Sequence, residues 1–338
     1  MIKIGTVGFG YWGPNIVRNF NMPGRSSVIA VSDLDPAQRA RAAEQFPGIE
    51  TTARAEDLFE NPAIDAVAIV TPVRSHFVLA EAALLAGKHV LVEKPMTETS
   101  EQAERLIELA DRHHRVLMVD HTFIYTPAVQ RMRELVQSGE LGKIYYYDSL
   151  RINLGLFQHD VNVLWDLAVH DLAILDFVLD ARPLAVSAIG VSHIPGSPEN
   201  VAYLSLFLPG DTIAHVNVNW LAPVKVRQTL IGGSRKMIIF DELQPSEKLK
   251  IYDRGVTQND KPETLYQTLI NYRMGDMWAP NIPYREALNM EAEHFLACIE
   301  GRERPLTDGA MGLRVVRILE LATKSMRQNG QPFPFPGA

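Results

Sequence analysis

Short runs of consecutive apolar residues alternate with amphipathic stretches over the first third of the chain. Ile2 to Val7, Val28 to Ser32, Ala66 to Val70, His89 to Val92 and Val116 to Val119 are rich in Val and Ile and carry almost no polar residue on either face. That pattern predicts strands of a parallel sheet covered on both sides. The stretches between them begin like helices. Asp35-Pro36 supplies an N-cap and an N1 proline for Ala37 to Gln45. Thr99-x-x-Gln102 is a capping box ahead of Ala103, Leu106, Ile107 and Ala110 on one helical face. Repeated strand-helix-strand order predicts a doubly wound α/β domain.

After about Asp120 the pattern changes. A helix over Ala128 to Gln137 leads to an aromatic strand, Lys143 to Asn153, and a long apolar helix, Val161 to Leu179. Strands follow at Leu184 to His193, Val201 to Leu208, Thr212 to Trp220, Lys225 to Gly232 and Lys236 to Asp241, with turn signals at Pro209-Gly210-Asp211 and Gly232-Gly233-Ser234. Consecutive strands with short turns predict a separate α+β domain with an open, mainly antiparallel sheet. Ile213, His215, Asn217 and Asn219 alternate with apolar neighbours, so one face of that sheet reads as polar. Residues 254–283 read as loop, and helices over Arg285 to Glu300 and Gly309 to Met326 close the chain. The expected division is 1–122 and 123–338.

Length agrees: 338 residues suggest two domains at ~150 residues each. With 46% hydrophobic and 22% charged residues, the chain can build a sizeable core. No stretch approaches the ~20 apolar residues of a membrane span. Met1-Ile2-Lys3-Ile4 lacks the basic-apolar-small plan of a secretory leader, so a cytoplasmic protein is expected. The single Cys298 excludes an internal disulfide and a cysteine-cluster metal site. A net charge of -7 gives no global attraction to nucleic acid or anionic lipid.

Candidate chemistry sits at three places. Gly8-Phe9-Gly10-Tyr11-Trp12-Gly13 is G-x-G-x-x-G between the first strand and a helix starting at Pro14. The spacing serves a tight turn, a close approach of backbone to a pyrophosphate, and close packing of helix on strand. Asp33 lies 33 − 13 = 20 residues beyond the last glycine, where an acid accepts bonds from the adenosine ribose and repels a 2′-phosphate. Asp35 competes for that role, but its place before Pro36 is better explained as a helix cap. The reading is NAD rather than NADP.

Thr71-Pro72 with His76, and then Glu93-Lys94-Pro95, follow the third and fourth strands. Open α/β sheets bind ligands at those carboxyl ends. By spacing alone, a lysine on a substrate hydroxyl and a strand-end ion pair account for these residues equally well. Third, Asp166 and His170 stand four residues apart in the apolar helix, on one α-helical face. A carboxylate orienting an imidazole for proton transfer fits; so does a structural Asp-His pair. Arg151 and Asn153 end the aromatic strand, with Gln158, His159 and Asp160 beyond, as a sugar or phosphate contact or as ordinary surface. Tyr145-Tyr146-Tyr147 reads as sheet packing.

In this order, the glycine loop, Thr71-Pro72 with His76, Glu93-Lys94-Pro95 and the Asp166/His170 pair resemble the glucose-fructose oxidoreductase / inositol dehydrogenase / MocA family over nearly the whole chain. The resemblance implies a Rossmann domain, then a domain whose open sheet forms subunit interfaces in a homodimer or homotetramer. It also implies a nicotinamide dinucleotide, which Asp33 narrows to NAD, no metal, and reversible oxidation of a ring secondary alcohol to a ketone. Gly8, Gly10, Tyr11, Trp12, Gly13, Asp33, Thr71, Pro72, His76, Glu93 and Lys94 become the expected cofactor contacts. Lys94 matches the family's active-site lysine, and His170 with Asp166 its proton-transfer pair. Those three, with Arg151 and Asn153, are the expected substrate contacts. The stretches Gly10 to Asn15 and Trp165 to Asp171 look like the branch that oxidises C3 of UDP-N-acetylglucosamine-type sugars. Inositol or free-sugar dehydrogenation and reduction of a deoxysugar nucleotide are the alternatives. A nucleotide-sensing regulator would have lost the lysine or the histidine, and both are present.

Overall fold

The computed structural model describes residues 1–155, 161–258 and 270–337. They fall into two compact units, Met1–Tyr125 with Arg285–Arg317, and Thr126–Tyr284 with Ile318–Ala338. The expected boundary at 122/123 lies three residues from the crossing at 125/126, but residues 285–317 return to the first unit. A single cut therefore does not describe the chain. Long-range packing caused this departure, and the local hydrophobic pattern does not carry it.

The first unit contains β1 (Ile2–Val7), α1 (Gly13–Phe20), β2 (Ser26–Ser32), α2 (Pro36–Gln45), β3 (Glu50–Thr52), α3 (Glu56–Glu60), β4 (Ala66–Ile69), α4 (His76–Leu85), β5 (His89–Glu93), α5 (Ser100–His113) and β6 (Leu117–Asp120). The sheet order is β3-β2-β1-β4-β5-β6, and every neighbouring pair is parallel. All four residues of β4 are buried, as the unbroken apolar run requires. Asp35 caps α2, its carboxylate accepting from Ala37 N at 2.8 Å. Thr99 caps α5 through Gln102 N.

The second unit begins with α6 (Pro127–Gln137), β7 (Ile144–Leu154) and α7 (Val169–Leu179). Strands β8 (Ala185–Val191), β9 (Val201–Leu208), β10 (Thr212–Asn219), β11 (Leu221–Gly233), β12 (Met237–Asp241), β13 (Leu249–Tyr252), β14 (Gly255–Gln258), β15 (Ile270–Arg273) and β16 (Met277–Trp278) follow. Helix α8 (Ala287–Ile299) belongs to the first unit, and α9 (Gly309–Arg327) and β17 (Phe333–Pro334) end the chain. The large sheet runs β16-β13-β12-β11-β7-β10-β9-β8-β17. Only β7 and β10 pair in parallel; every other neighbouring pair is antiparallel. The stretch expected to be loop holds β14 and β15, which pair with each other, and β16. The face expected to be polar is mixed: Tyr203 and Phe207 are exposed beside Asn217 and Ile213, their cross-strand partners. Helix α7 is buried along nearly its whole length, which is why its sequence shows no polar side.

Candidate active site

The glycine loop follows β1. Gly8 has φ 95°, and a Cβ there would stand 2.5 Å from the Val70 carbonyl oxygen. A Cβ on Gly13 would stand 2.8 Å from Gly8 O, so the helix start sits directly on the turn. A Cβ on Gly10 would meet nothing within 4 Å. These are the three roles the spacing assigns: a turn only glycine takes without strain, an open backbone stretch, and a close packing point. Asp33, at the end of β2, accepts from Phe9 N at 2.6 Å and from Asp35 N at 2.8 Å. Its carboxylate is thus tied to the loop.

A cavity of about 500 Å³ opens here, lined by Gly8, Gly10, Asp33, Leu34, Arg54, Thr71, Pro72 and Ser75 among others. It lies where β1 and β4 part the strand order, the switch point at which open α/β sheets take nucleotides. A two-sided cradle of glycine backbone with an acid at the ribose position fits NAD. Tyr11 projects into solvent, 91% exposed.

Next along the strand ends, Thr71 Oγ1 accepts from Ser75 Oγ at 2.7 Å. His76 is 1% exposed and bridges two loops, Nε2 lying 2.7 Å from Thr71 O and Nδ1 2.9 Å from Pro95 O. Burial pushes its imidazole below the usual histidine range, against the pull of the carbonyl contacts. His76 thus sits between the β4 and β5 loops, with one ring N–H to give to a carbonyl, and its cofactor contact stands as a proposal. Glu93 and Lys94 are half-buried at the end of β5, the Lys94 N–H donates to the Glu93 carboxylate, and the Lys94–Pro95 peptide is cis.

Sequence reasoning passed over the neighbouring end of β6. Asp120 is paired across the sheet with Glu93 and accepts from Trp12 Nε1 at 3.0 Å and from Thr122 Oγ1. His121 follows, 2% exposed, with neither ring nitrogen hydrogen-bonded among the described residues. Burial, helped by the charge of Lys94, pushes its pKa down to about 3. The available signal was the cluster Asp120-His121-Thr122 after an apolar strand.

In the second unit, the helix carrying Asp166 and His170 is not α-helical throughout. Leu164–Ala168 form a π turn, entered from the Asn162 side chain, whose Oδ1 accepts from Leu164 N at 3.1 Å. The i→i+5 bonding widens the turn at Asp166, so one α-helical register does not run through both residues. Such insertions occur frequently at functional sites. Asp166 Oδ2 accepts from Trp220 Nε1 at 3.1 Å. Trp220 is itself fixed: it is 1% exposed, and a Cβ on Gly155 would lie 2.6 Å from its ring. Asp166 and His170 are both half-buried.

Arg151 differs from expectation. It is 2% exposed, with Nε on Asp171 Oδ2 at 2.8 Å, Nη2 on Asp171 Oδ1 at 3.2 Å and Nη1 on Glu242 Oε2 at 3.4 Å. The two carboxylates hold its pKa above the ordinary arginine value despite burial. A guanidinium so enclosed is an internal counter-ion, and the expectation that it meets a substrate phosphate is corrected. Asn153 is half-buried near the end of β7. Gln158, His159 and Asp160 lie outside the described residues. Tyr147 is fully buried and donates to Asp171 O at 3.3 Å, so this member of the tyrosine run is packing.

Comparison with known proteins adds to this. Residues 2–121 match the model of an oxidoreductase family with an NAD-binding Rossmann fold, and residues 129–239 match the GFO/IDH/MocA C-terminal domain. UDP-N-acetylglucosamine 3-dehydrogenase of Acidithiobacillus ferrooxidans is 29% identical over 93% of this chain and 94% of its own. A solved structure of that enzyme superposes with a TM-score of 0.82 at 26% identity, covering 97% of this chain and 98% of the other. dTDP-3,4-didehydro-2,6-dideoxy-alpha-D-glucose 3-reductase of Saccharopolyspora spinosa is 30% identical over 64% of this chain and 67% of its own. Inositol 2-dehydrogenase of Corynebacterium glutamicum is 31% identical over 55% and 56%.

Proposed function

The chain belongs to the GFO/IDH/MocA oxidoreductase family and is an NAD-dependent enzyme acting on a sugar CH–OH group; from that premise we propose that its substrate is a UDP-N-acetylglucosamine-type nucleotide sugar, oxidised at C3. The observation that carries this reading is the end-to-end likeness to UDP-N-acetylglucosamine 3-dehydrogenase, which spans both units. Arg151 no longer supports it, because its charge is neutralised inside the second unit.

Bound NAD would rest on Gly8, Gly10 and Gly13, with Asp33 on its ribose, and would supply the two-electron acceptor. The remaining chemistry falls to side chains. His170 takes the proton from the reacting hydroxyl, and an imidazole suits that exchange near neutral pH. Asp166, held by the Trp220 indole, stabilises the imidazolium. Lys94 positions the oxygen and offsets its developing negative charge.

The deciding experiment offers UDP-N-acetylglucosamine, its uronic-acid form and myo-inositol with NAD, and follows NADH. Reduction of NAD with a UDP-sugar supports the reading. Efficient oxidation of myo-inositol with no response to any UDP-sugar sinks it and leaves the sugar dehydrogenase intact. The relatedness to a deoxysugar-nucleotide reductase favours one second reading, checked with NADH and a dTDP-keto-sugar.

We also propose that the enzyme works in the cytoplasm as a homodimer or homotetramer through the large sheet. Among the described residues, no helix is long and apolar enough to cross a membrane. Ile189, Tyr203 and Phe207 stand 59%, 46% and 40% exposed on one face of that sheet. Monomeric mass in light scattering would remove the oligomer proposal.

A further inference from the structure

Helix α8 carries two glutamates toward the glycine-loop half of the first unit. Glu286, its N-cap, meets Arg18 Nη1 of α1 at 3.0 Å through Oε2 and Asn19 Nδ2 at 3.1 Å through Oε1. Phe295 packs edge-on against Phe20 at 5.9 Å between ring centroids. A segment from the far end of the sequence thus buttresses the helix that starts at the dinucleotide loop.

Glu291 lies between these contacts and is fully buried. Among the described residues no N–H or O–H donates to either of its oxygens. Its polar neighbours are the Asp120 carboxylate on β6, the Thr122 hydroxyl, already given to Asp120, and, further off, the Glu93 carboxylate on β5. Tyr125 also faces it, with a phenol pushed well up by burial and then by Glu291. An ionised carboxylate has only acceptor atoms, so here it would sit dry beside other anions, and the Thr122 hydroxyl next to it is already given to Asp120. That is among the costliest arrangements a protein interior can hold. A protonated carboxyl is an O–H donor, and the group beside it is an acceptor. Burial, then the charge of Asp120, accordingly pushes the Glu291 carboxyl well above the usual carboxylate range.

Asp120 accepts from Thr122 Oγ1 and from the Trp12 indole at 3.0 Å, and a proton on Glu291 would add a third donor to it. Trp12 is the N-cap of α1, the residue before the third glycine. We propose that Glu291 is a positioning residue for the dinucleotide, sharing its carboxyl proton with Asp120 so that Asp120 holds the Trp12 indole and fixes the loop at the start of α1. The proposal rests on NAD binding by that loop.

The test titrates NAD into the wild type, Glu291→Gln, Glu291→Val and Trp12→Phe by calorimetry, with a thermal melt of each protein. The glutamine amide replaces the O–H donor, so E291Q should bind NAD within about twofold of wild type. E291V, measured well below its melting temperature, should bind about tenfold more weakly, and W12F should be weakened similarly. E291V binding like wild type, or E291Q as weak as E291V, would overturn the proposal. Should E291V fail to fold, W12F binding within about twofold of wild type overturns it, and a W12F loss beside an intact E291Q supports it. Absence of NAD binding in the wild type would instead strike the cofactor assignment.

Discussion

In the first unit the cofactor loop is shaped by backbone: a glycine at φ 95°, a second whose missing Cβ leaves open space, and two N–H groups on Asp33. In the second unit the proposed proton-transfer pair is shaped by side chains from distant parts of the chain. Asp166 is held by Trp220, 54 residues away, and the helix behind it is anchored by Arg151, 20 residues from Asp171 and 91 from Glu242. The difference separates two kinds of tolerance. A backbone cradle survives most side-chain changes except those that add a Cβ where none fits. A side-chain scaffold fails when any one partner is removed, because each buried charge depends on another.

The largest effects should separate chemistry from cofactor binding. Lys94→Met and His170→Asn should each lower kcat by about 10²–10⁴-fold, the His170 variant with the NAD dissociation constant unchanged. Asp166→Asn should do less if it only stabilises the ring. Near-normal turnover of the His170 variant would move the base role to Lys94 and weaken the contrast drawn above. The next effect is on stability. Removing one member of a buried ion pair leaves an uncompensated charge, and Arg151→Met should cost about 3–5 kcal/mol in urea unfolding. Adding Asp171→Leu to it should recover part of that loss, since one orphaned carboxylate goes. An unchanged unfolding midpoint in Arg151→Met would mean that the scaffold does not rest on this pair.

The same contrast explains what could be read from the sequence. The parallel sheet, the glycine loop and the Asp35 cap were legible because each depends on residues within a few positions of one another. The strands β7 to β12 and their mainly antiparallel pairing were legible from turns and alternation, but not the placing of β7 between β10 and β11. Arg151 was misread because its partner carboxylates are distant in the sequence and nothing near it marks it as buried. The seat of His76 between two loops was not legible, because a histidine at a strand end looks the same whether it faces a cavity or lies between loops. The π turn at Leu164–Ala168 leaves no trace in an apolar pattern that suits an α-helix equally well. The return of residues 285–317 to the first unit goes with contacts such as Phe295 on Phe20, 275 residues earlier, which no local pattern announces.

A smaller effect concerns His121, whose pKa is pushed down to about 3. Its folded value lies below the unfolded value of ~6.5. Below that unfolded value the unfolded chain takes up a proton that the native chain refuses. Stability from this residue is complete above ~6.5 and is lost as pH falls toward the folded value, by at most about 1.4 kcal/mol per pH unit. Unfolding curves between neutral and mildly acid pH should therefore be steeper in pH for the wild type than for His121→Phe, by about one proton. Equal slopes would show that the imidazole charges without penalty, as a residue open to water would.

The smallest effect tests the cradle where a side chain does contribute. Asp33 lines the cavity with both oxygens already tied to backbone N–H groups, so its negative charge is fixed in place and cannot swing away from an incoming anion. A 2′-phosphate beside it would meet that charge, and NADP should bind about tenfold or more weakly than NAD. Arg54 lines the same cavity, and its pairs with Glu56 and Asp57 at 4.0 and 3.5 Å are exposed and therefore weak. Asp33→Ser should consequently do two things: weaken NAD modestly by removing ribose bonds, and bring NADP to within about threefold of NAD because Arg54 can turn to the phosphate. Adding Arg54→Ala should cancel the NADP gain and leave NAD where Asp33→Ser put it. If the wild type binds NADP more tightly than NAD, the ribose assignment of Asp33 is wrong. If Asp33→Ser leaves the ratio unchanged, the preference lies in the backbone cradle alone, and the first unit is a purer case of backbone recognition than Asp33 suggests.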